Sequence, residues 1–183
     1  MSTFRIARLL VLLALTGAGL PLASASRPNV LVVLADDMGV GDVSCLNPRS
    51  AWRTPAIDRL ASQGMIFSDA HSSSGVCTPT RYTLLTGRYS WRGRLKQGVL
   101  QGYGAALIEP GRLTLPGFLR QQGYATAMFG KWHLGLDWQR TGPNEADVDF
   151  AQPVRGGPVD HGFERFLGIS ASDRKSTRLN SSH

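Results

Sequence analysis

Cysteine is scarce in this sequence: Cys45 and Cys77 are the only two among 183 residues. Two cysteines allow at most one disulfide, so the chain is not a small scaffold held together by several bridges. Acidic residues are also few, with 13 Asp and Glu against 20 Lys and Arg. The sequence contains no internal repeat and no domain linker, which favours a single core over a repeat array.

Long apolar runs are rare, and the longest stands near the N-terminus. Two arginines precede the apolar run from Leu9 to Leu15, and the small-residue pattern Ala-Ser-Ala ends at Ala25. We interpret residues 1–25 as a secretory signal peptide that is cleaved after Ala25. The alternative is an uncleaved anchor, for which the run is short. We therefore expect an exported protein, periplasmic or secreted, with no stable membrane insertion after cleavage.

The last segment, DRKSTRLNSSH, resembles the translation of a common sequencing-library adapter. We interpret residues 173–183 as an adapter-derived scar and exclude them from the predicted fold; the alternative is a genuine basic tail. Without this segment and the signal peptide, the net charge falls from +7 to +3. So small a charge gives little support to nucleic-acid binding, and no nucleic-acid partner is expected.

Apolar and capping patterns predict an α/β fold. Residues 30–34 form a continuous apolar, β-branched run that is typical of a buried parallel strand. Two further strands are predicted at 65–71 and 124–130, and capped helices are predicted at 54–64, 80–87 and 113–123. This order indicates parallel pairing. Residues 136–157 are predicted as a long loop, and the aromatic segment 161–169 as partly ordered.

Three polar groups follow predicted strands: Asp36-Asp37, Cys77 to Arg81, and Lys131 to His133. Each has an ordinary explanation by itself, as a solvated turn, a buried cysteine or a surface pair. A Cys45–Cys77 disulfide also remains open. Ligands in open α/β sheets bind beyond the carboxyl ends of the strands. The joint placement of the three groups therefore favours one shared site.

The stretch CTPTRYTLLTGR (77–88) closely resembles the signature of type I sulfatases, Cys-x-Pro-Ser/Thr-Arg followed by Leu-Thr-Gly-Arg. NVLVVLADDMGVGD, GYATAMFGKWHLG and HGFERFLGIS are similar to three other segments of that family, in the same order. The resemblance to these formylglycine-dependent, arylsulfatase-like enzymes implies that residues 26–172 are the N-terminal part of a catalytic domain. It implies an alkaline-phosphatase-like fold, in which a mixed sheet is sandwiched by helices. We expect this chain to be a truncated part of that fold and to be inactive by itself.

The resemblance implies that a formylglycine-generating enzyme, which reads Cys-x-Pro-x-Arg, oxidises Cys77 to Cα-formylglycine. The hydrated aldehyde carries two hydroxyls: one attacks the sulfur of a sulfate ester, and the other, on losing its proton, expels sulfate. The implied metal is Ca²⁺, held by Asp36, Asp37 and the modified Cys77. Arg81 would hold the formylglycine hydroxyl or the metal-site carboxylates.

Lys131 and His133 are implied to be catalytic and to bind the sulfate. Lys131 would neutralise developing negative charge, and His133 would hydrogen-bond the diol and assist proton removal. Two residues apart at a strand end, their side chains share one side if the extended geometry persists. Ser172 is a further candidate for substrate binding. The Asp-Asn pair, second His and second Lys of the family lie beyond this chain.

Two other functions stay open. The same superfamily fold and metal chemistry serve hydrolases of phosphate and phosphonate esters. A secreted module that binds acidic polysaccharide through Arg88, Arg92 and Arg94 is the non-enzymatic alternative. The modification state of Cys77 separates this module from the sulfatase, because a binding module has no use for an aldehyde there.

We predict that Cys77 carries an aldehyde when the full-length protein is co-expressed with a formylglycine-generating enzyme. The uninterrupted Cys-Thr-Pro-Thr-Arg at 77–81 is the recognition sequence that the resemblance implies. Peptide mass spectrometry and hydrazide labelling measure the aldehyde directly. An unmodified thiol at Cys77 in an active preparation would contradict the mechanism.

Overall fold

The structure is a computed structural model that describes residues 27–144 and 147–172. The predicted signal peptide (1–25) and the predicted adapter segment (173–183) lie outside these residues. The chain divides into two units, of which the first ends at Leu34 and the second begins at Ala35. The described part of the second unit contains three α-helices and a two-stranded parallel sheet. The predicted α/β class is therefore confirmed.

The three helices are α1 (Pro55–Gln63), α2 (Cys77–Thr86) and α3 (Leu115–Gln121), and all three were predicted. Thr114 caps α3, because its hydroxyl accepts a hydrogen bond of 3.2 Å from the Gly117 N–H. Gly87 ends α2 in the left-handed conformation that glycine tolerates, with φ at 63°. Short 3₁₀ helices occupy Val40–Asp42, Ser90–Arg92 and Val159–His161.

Helix α2 begins at Cys77, earlier than the predicted start after Pro79. Proline is compatible with this longer helix, since it stands in the first turn, where its missing N–H would have had no helical partner. The earlier start has a consequence for function. It places the cysteine at the first residue of the helix.

The strands are β1 (Ala127–Lys131) and β2 (Arg165–Ile169), and they pair in parallel with Lys131 opposite Ile169. The predicted strand at 124–130 and the parallel pairing are confirmed, whereas the segment 161–169 contains a full strand that we had not predicted. Gly130 faces Gly168 in this register. A Cβ atom on Gly168 would overlap the Gly130 carbonyl, so the close approach of the strands requires glycine there.

The predicted strands at 30–34 and 65–71 are wrong: within the described residues neither segment forms a strand. Their apolar side chains are exposed, with Leu31 at 87% and Met65 at 76% of full exposure. Apolar, β-branched composition makes a strand only where a neighbouring strand supplies the ladder of hydrogen bonds. The two-stranded sheet of the described chain includes neither segment.

The core lies between α2 and the residues that follow β1. Its buried members are Tyr82, Leu107, Ile108, Trp132 and Leu134. The indole N–H of Trp132 donates to the Gly135 carbonyl at 2.8 Å, so this polar atom is satisfied inside the core. Through this core, the helix that starts with Cys77 packs against the segment that starts with Lys131.

The loop predicted at 136–157 carries two isolated antiparallel bridges, Asp137 with Arg155 and Arg140 with Val148. The described residues of this loop therefore fold back on one another and form no further strand. Among the described residues, none of the helices combines the length and the apolar character that crossing a membrane requires.

We expect the 183-residue chain, prepared alone, to unfold without a sharp cooperative transition. Large apolar side chains of both strands are open to solvent, with Phe129 at 73% and Leu167 at 72% of full exposure. Such surfaces favour a loosely packed state that binds hydrophobic dyes. Calorimetry and dye fluorescence would measure this. A sharp two-state melt would contradict the expectation, and removing residues 173–183 should not change the result.

Candidate active site

One carboxylate and two cations meet at the end of β1. The Lys131 Nζ donates to the Asp36 Oδ2 at 2.8 Å, and the Arg81 Nη2 lies 3.6 Å from the same oxygen. The Arg81 Nη1 also donates to the Lys131 carbonyl. The hydrogen bond from Lys131, aided by the charge of Arg81, holds the pKa of Asp36 below its ordinary value despite some burial.

Local structure explains why these side chains meet. Arg81 stands four residues after Cys77 in α2, so the two share one face of the helix. Lys131 is the last residue of β1, at the carboxyl end of the sheet. The side chains of Arg81 and Lys131 keep only 11% and 14% of their exposure. Both cations are thus largely desolvated, which strengthens their attraction for anions.

A second set of contacts joins the helix to His133. The Thr78 hydroxyl donates to the His133 carbonyl at 3.0 Å and accepts from the Leu100 N–H at 3.3 Å. The His133 Nε2 is 3.0 Å from the Leu100 carbonyl oxygen. Thr78 is fully buried. These bonds form a closed circuit through three segments that are distant in the sequence.

His133 departs from the extended geometry that we expected after β1. Its φ is 55°, in the left-handed region that non-glycine residues seldom adopt. The residue is buried, and burial, together with the charges of Lys131 and Arg81, lowers the pKa of its imidazole despite the bond to Leu100. Its Nδ1 is buried and has no hydrogen-bond partner among the described residues. The imidazole is therefore neutral at physiological pH and keeps one unpaired nitrogen.

The remaining candidate residues, Cys77, Asp37 and Ser172, differ in their exposure to solvent. Cys77 is half-buried and Cys45 is exposed, and both are free thiols, so no disulfide joins them. Asp37 is exposed, with φ at 56°. Ser172 is also exposed and lies shortly after the end of β2.

The described residues match calcium in the type of ligand they offer, but they offer fewer ligands than calcium takes. The carboxylates of Asp36 and Asp37 are ligands of the hard type that Ca²⁺ prefers, whereas a full calcium shell takes about 6–8 oxygens. Within residues 27–144 and 147–172, no group of three or more His, Cys, Asp and Glu side chains is arranged to hold a metal. The described residues can therefore provide only part of a calcium site.

A cluster of charged side chains around Glu109 contacts α2 through Tyr82. The Tyr82 hydroxyl lies 3.0 and 3.1 Å from the two carboxylate oxygens of Glu109, and Arg88 and Arg112 pair with the same carboxylate. Burial opposes ionisation of Glu109, but hydrogen bonds from its own backbone, Tyr82 and Arg112 lower its pKa overall. Arg88 is thus engaged inside the chain, which weakens the case for a polysaccharide-binding surface built on it.

Sequence reasoning missed Thr78, Leu100, Tyr82 and Glu109. Thr78 occupies the variable position of the Cys-x-Pro-x-Arg motif, so the motif itself gave no reason to single it out. Leu100 contributes only its peptide group, which no side-chain pattern can reveal. An aromatic residue such as Tyr82 is ordinary in a helix, and an acidic residue such as Glu109 is ordinary in a loop. Only the fold brings the two together.

A family model described as Sulfatase matches residues 28–181. Together with the fold and the site, this match shows that the chain belongs to the sulfatase family. It is 40% identical over 149 residues to an N-acetylgalactosamine-6-O-sulfatase of Bacteroides thetaiotaomicron, covering 81% of this chain and 28% of the relative. Arylsulfatase A of Bos taurus is 41% identical over 151 residues, with 82% and 27% covered. Human steryl-sulfatase is 37% identical over 160 residues, with 85% and 26% covered.

Solved structures agree with this assignment. A Bacteroides thetaiotaomicron protein described in connection with the metabolism of multiple glycosaminoglycans matches with a TM-score of 0.70 and 38% identity, covering 80% of this chain and 29% of that one. Ps i-CgsB in complex with k-i-k-neocarrahexaose matches with a TM-score of 0.63 and 28% identity, with 85% and 32% covered. The expected sulfatase fold is confirmed, and the chain spans less than a third of each of these relatives.

We predict that Tyr82→Phe destabilises the intact protein by about 1 kcal/mol at pH 7, since it removes a buried donor to an ionised carboxylate that retains some contact with water. The cost should shrink as the pH falls through the lowered pKa of Glu109, because the protonated carboxyl is a weaker acceptor. Urea unfolding at several pH values would measure it. Tyr89→Phe, at a half-exposed ring, is the matched control; equal losses in both variants would refute the role of the bond.

Proposed function

We propose that the protein hydrolyses sulfate esters and that Cys77, converted to Cα-formylglycine, provides the nucleophile. The observation that carries the proposal is the meeting of Asp36, Arg81 and Lys131 beside the helix that begins with Cys77, in a chain of the sulfatase family. The two desolvated cations suit an anionic group, and the helix start adds its own attraction.

Helix α2 supports the proposal through its first turn. The N–H groups at the start of a helix lack helical partners and carry the positive end of the helix dipole. Cys77 is the first residue of this ten-residue helix. A sulfate at the Cys77 side chain would therefore lie close to the peptide N–H groups of the first helical turn and to the cations of Arg81 and Lys131. Once formed and hydrated, the formylglycine supplies a hydroxyl for attack on sulfur and a second hydroxyl whose deprotonation releases sulfate.

The side chains of this chain divide the remaining tasks. Lys131 neutralises charge that grows on the sulfate oxygens as the ester bond breaks. Arg81 offers a planar fork of donors, so it can orient Asp36 and the modified residue together. His133 is neutral and buried, and its unpaired Nδ1 can accept a proton from a hydroxyl of the modified residue. Ser172, after β2, is proposed as a further substrate contact.

Asp36 and Asp37, with the modified Cys77, would hold Ca²⁺, and the other ligands would come from outside the described residues. A bound calcium ion would act as a Lewis acid toward a sulfate oxygen. We further propose that a formylglycine-generating enzyme modifies Cys77 in the Cys-Thr-Pro-Thr-Arg stretch. The protein would act after export, in the periplasm or outside the cell, following removal of residues 1–25.

We expect Lys131→Ala to lower kcat of the intact enzyme by about 10²–10³, because losing one donor that stabilises transition-state charge has an effect of this size. KM should change much less, and the aldehyde content at Cys77 should stay the same. Steady-state kinetics on an aryl sulfate, with mass spectrometry of the modified peptide, measure these quantities.

Lys96→Ala is the matched control, since Lys96 is exposed and donates only to the Trp91 carbonyl among the described residues. This variant should keep the turnover of the parent enzyme. Unchanged turnover in Lys131→Ala, with full aldehyde content, would remove Lys131 from the site. Absence of sulfate release from a fully modified and folded parent enzyme would refute the proposed activity itself.

A further inference from the structure

We propose that Thr78 is a positioning residue that sets the orientation and the tautomer of His133 through the peptide group of Leu100. The inference rests on the proposed function for its catalytic meaning, but the contacts that carry it are independent of that function. Thr78 lies next to Cys77, so the same hydroxyl also ties the position of His133 to the residue that carries the nucleophile.

The circuit has three hydrogen bonds with defined directions. A carbonyl oxygen can only accept, so the Thr78 hydroxyl donates to the His133 carbonyl and accepts from the Leu100 N–H. The Leu100 carbonyl then accepts from the His133 Nε2. The Nε2 must therefore carry the hydrogen of the neutral imidazole, and the Nδ1 is left with the lone pair. Through this circuit the backbone of Leu100 selects one of the two tautomers.

His133 needs such support because its backbone is strained. A left-handed φ of 55° is unfavourable for a residue with a side chain, and it persists only when the surroundings hold it. The His133 N–H donates to the Ser170 carbonyl at 2.9 Å, while its own carbonyl accepts from Thr78. With the ring bonded to Leu100, both peptide groups and the imidazole are fixed.

Burial makes the Thr78 hydroxyl hard to replace. The side chain has no exposure to solvent, so water cannot take over its bonds when the hydroxyl is lost. Replacing it with a methyl group would leave the His133 carbonyl and the Leu100 N–H unsatisfied together. The segment around Leu100 would then move to satisfy these groups, and the imidazole of His133 would lose its hydrogen bond to the Leu100 carbonyl.

Two substitutions separate the hydroxyl from the shape of the side chain. Thr78→Val keeps the branched shape and removes the hydroxyl, while Thr78→Ser keeps the hydroxyl. Thr126 offers a matched control, since its hydroxyl donates to the Gly162 carbonyl at 2.7 Å and accepts from the Glu164 N–H at 3.2 Å. Thr126→Val therefore removes the same two kinds of bond at the other end of β1, away from His133.

The closing experiment uses the intact protein labelled with ¹⁵N-histidine, together with kinetics. In the parent and in Thr78→Ser, the imidazole resonances of His133, assigned by their loss in His133→Asn, should report a neutral ring with the hydrogen on Nε2. Thr78→Val should show mixed tautomers, with kcat lower by about 10- to 100-fold, as expected when a catalytic group is displaced by about 1 Å. KM and aldehyde content should change little. Thr126→Val should retain the parent pattern and turnover.

Three results would overturn the inference: a hydrogen on Nδ1 in the parent, an unchanged tautomer in folded Thr78→Val, or the same losses in Thr126→Val. The first does not depend on Thr78→Val, so the inference stays testable even if that variant fails to fold. A parent protein with the expected tautomer but without sulfatase turnover would refute the proposed function and leave the positioning role intact.

Discussion

The guanidinium of Arg81 joins the segments on which the site depends. It donates to the carbonyl of Lys131, 50 residues further along the chain, and it lies beside the carboxylate of Asp36. A planar group with a permanent charge can serve a carbonyl and a carboxylate at once, whereas a lysine offers a single point of charge. The end of β1, Asp36 and α2 thus meet at the Arg81 side chain, and the hydrogen bond from Lys131 to Asp36 adds a second link between the same segments.

The core and the site share the same two segments. Helix α2 gives Tyr82 to the core and Arg81 to the site, while the residues after β1 give Trp132 and Leu134 to the core and Lys131 to the site. Because protein interiors are close-packed, a change of volume among the core residues is transmitted to their neighbours. Packing and chemistry are therefore coupled by proximity along the chain as well as in space.

Sequence patterns predicted the parts of the structure that local chemistry determines. Helix ends follow from caps and stops such as Thr114 and Gly87, which act within a few residues. Strands depend on partners that the local sequence does not contain, so 30–34 was overpredicted and β2 was missed. Of Asp36, Arg81 and Lys131, which the sequence placed after predicted strands, only Lys131 ends a strand of the structure. The contribution of Leu100, a peptide group, leaves no signature in the sequence.

The facing glycines of β1 and β2 have a consequence for evolution. Neither Gly130 nor Gly168 carries a functional group, yet an added methyl at Gly168 would force the strands apart. The bonds just beyond this point, from Trp132 to Ile169 and from His133 to Ser170, hold the backbone of the site. Alanine at Gly168, although chemically similar to glycine, would thus displace the backbone that carries Lys131 and His133, and a survey confined to reactive side chains would overlook it.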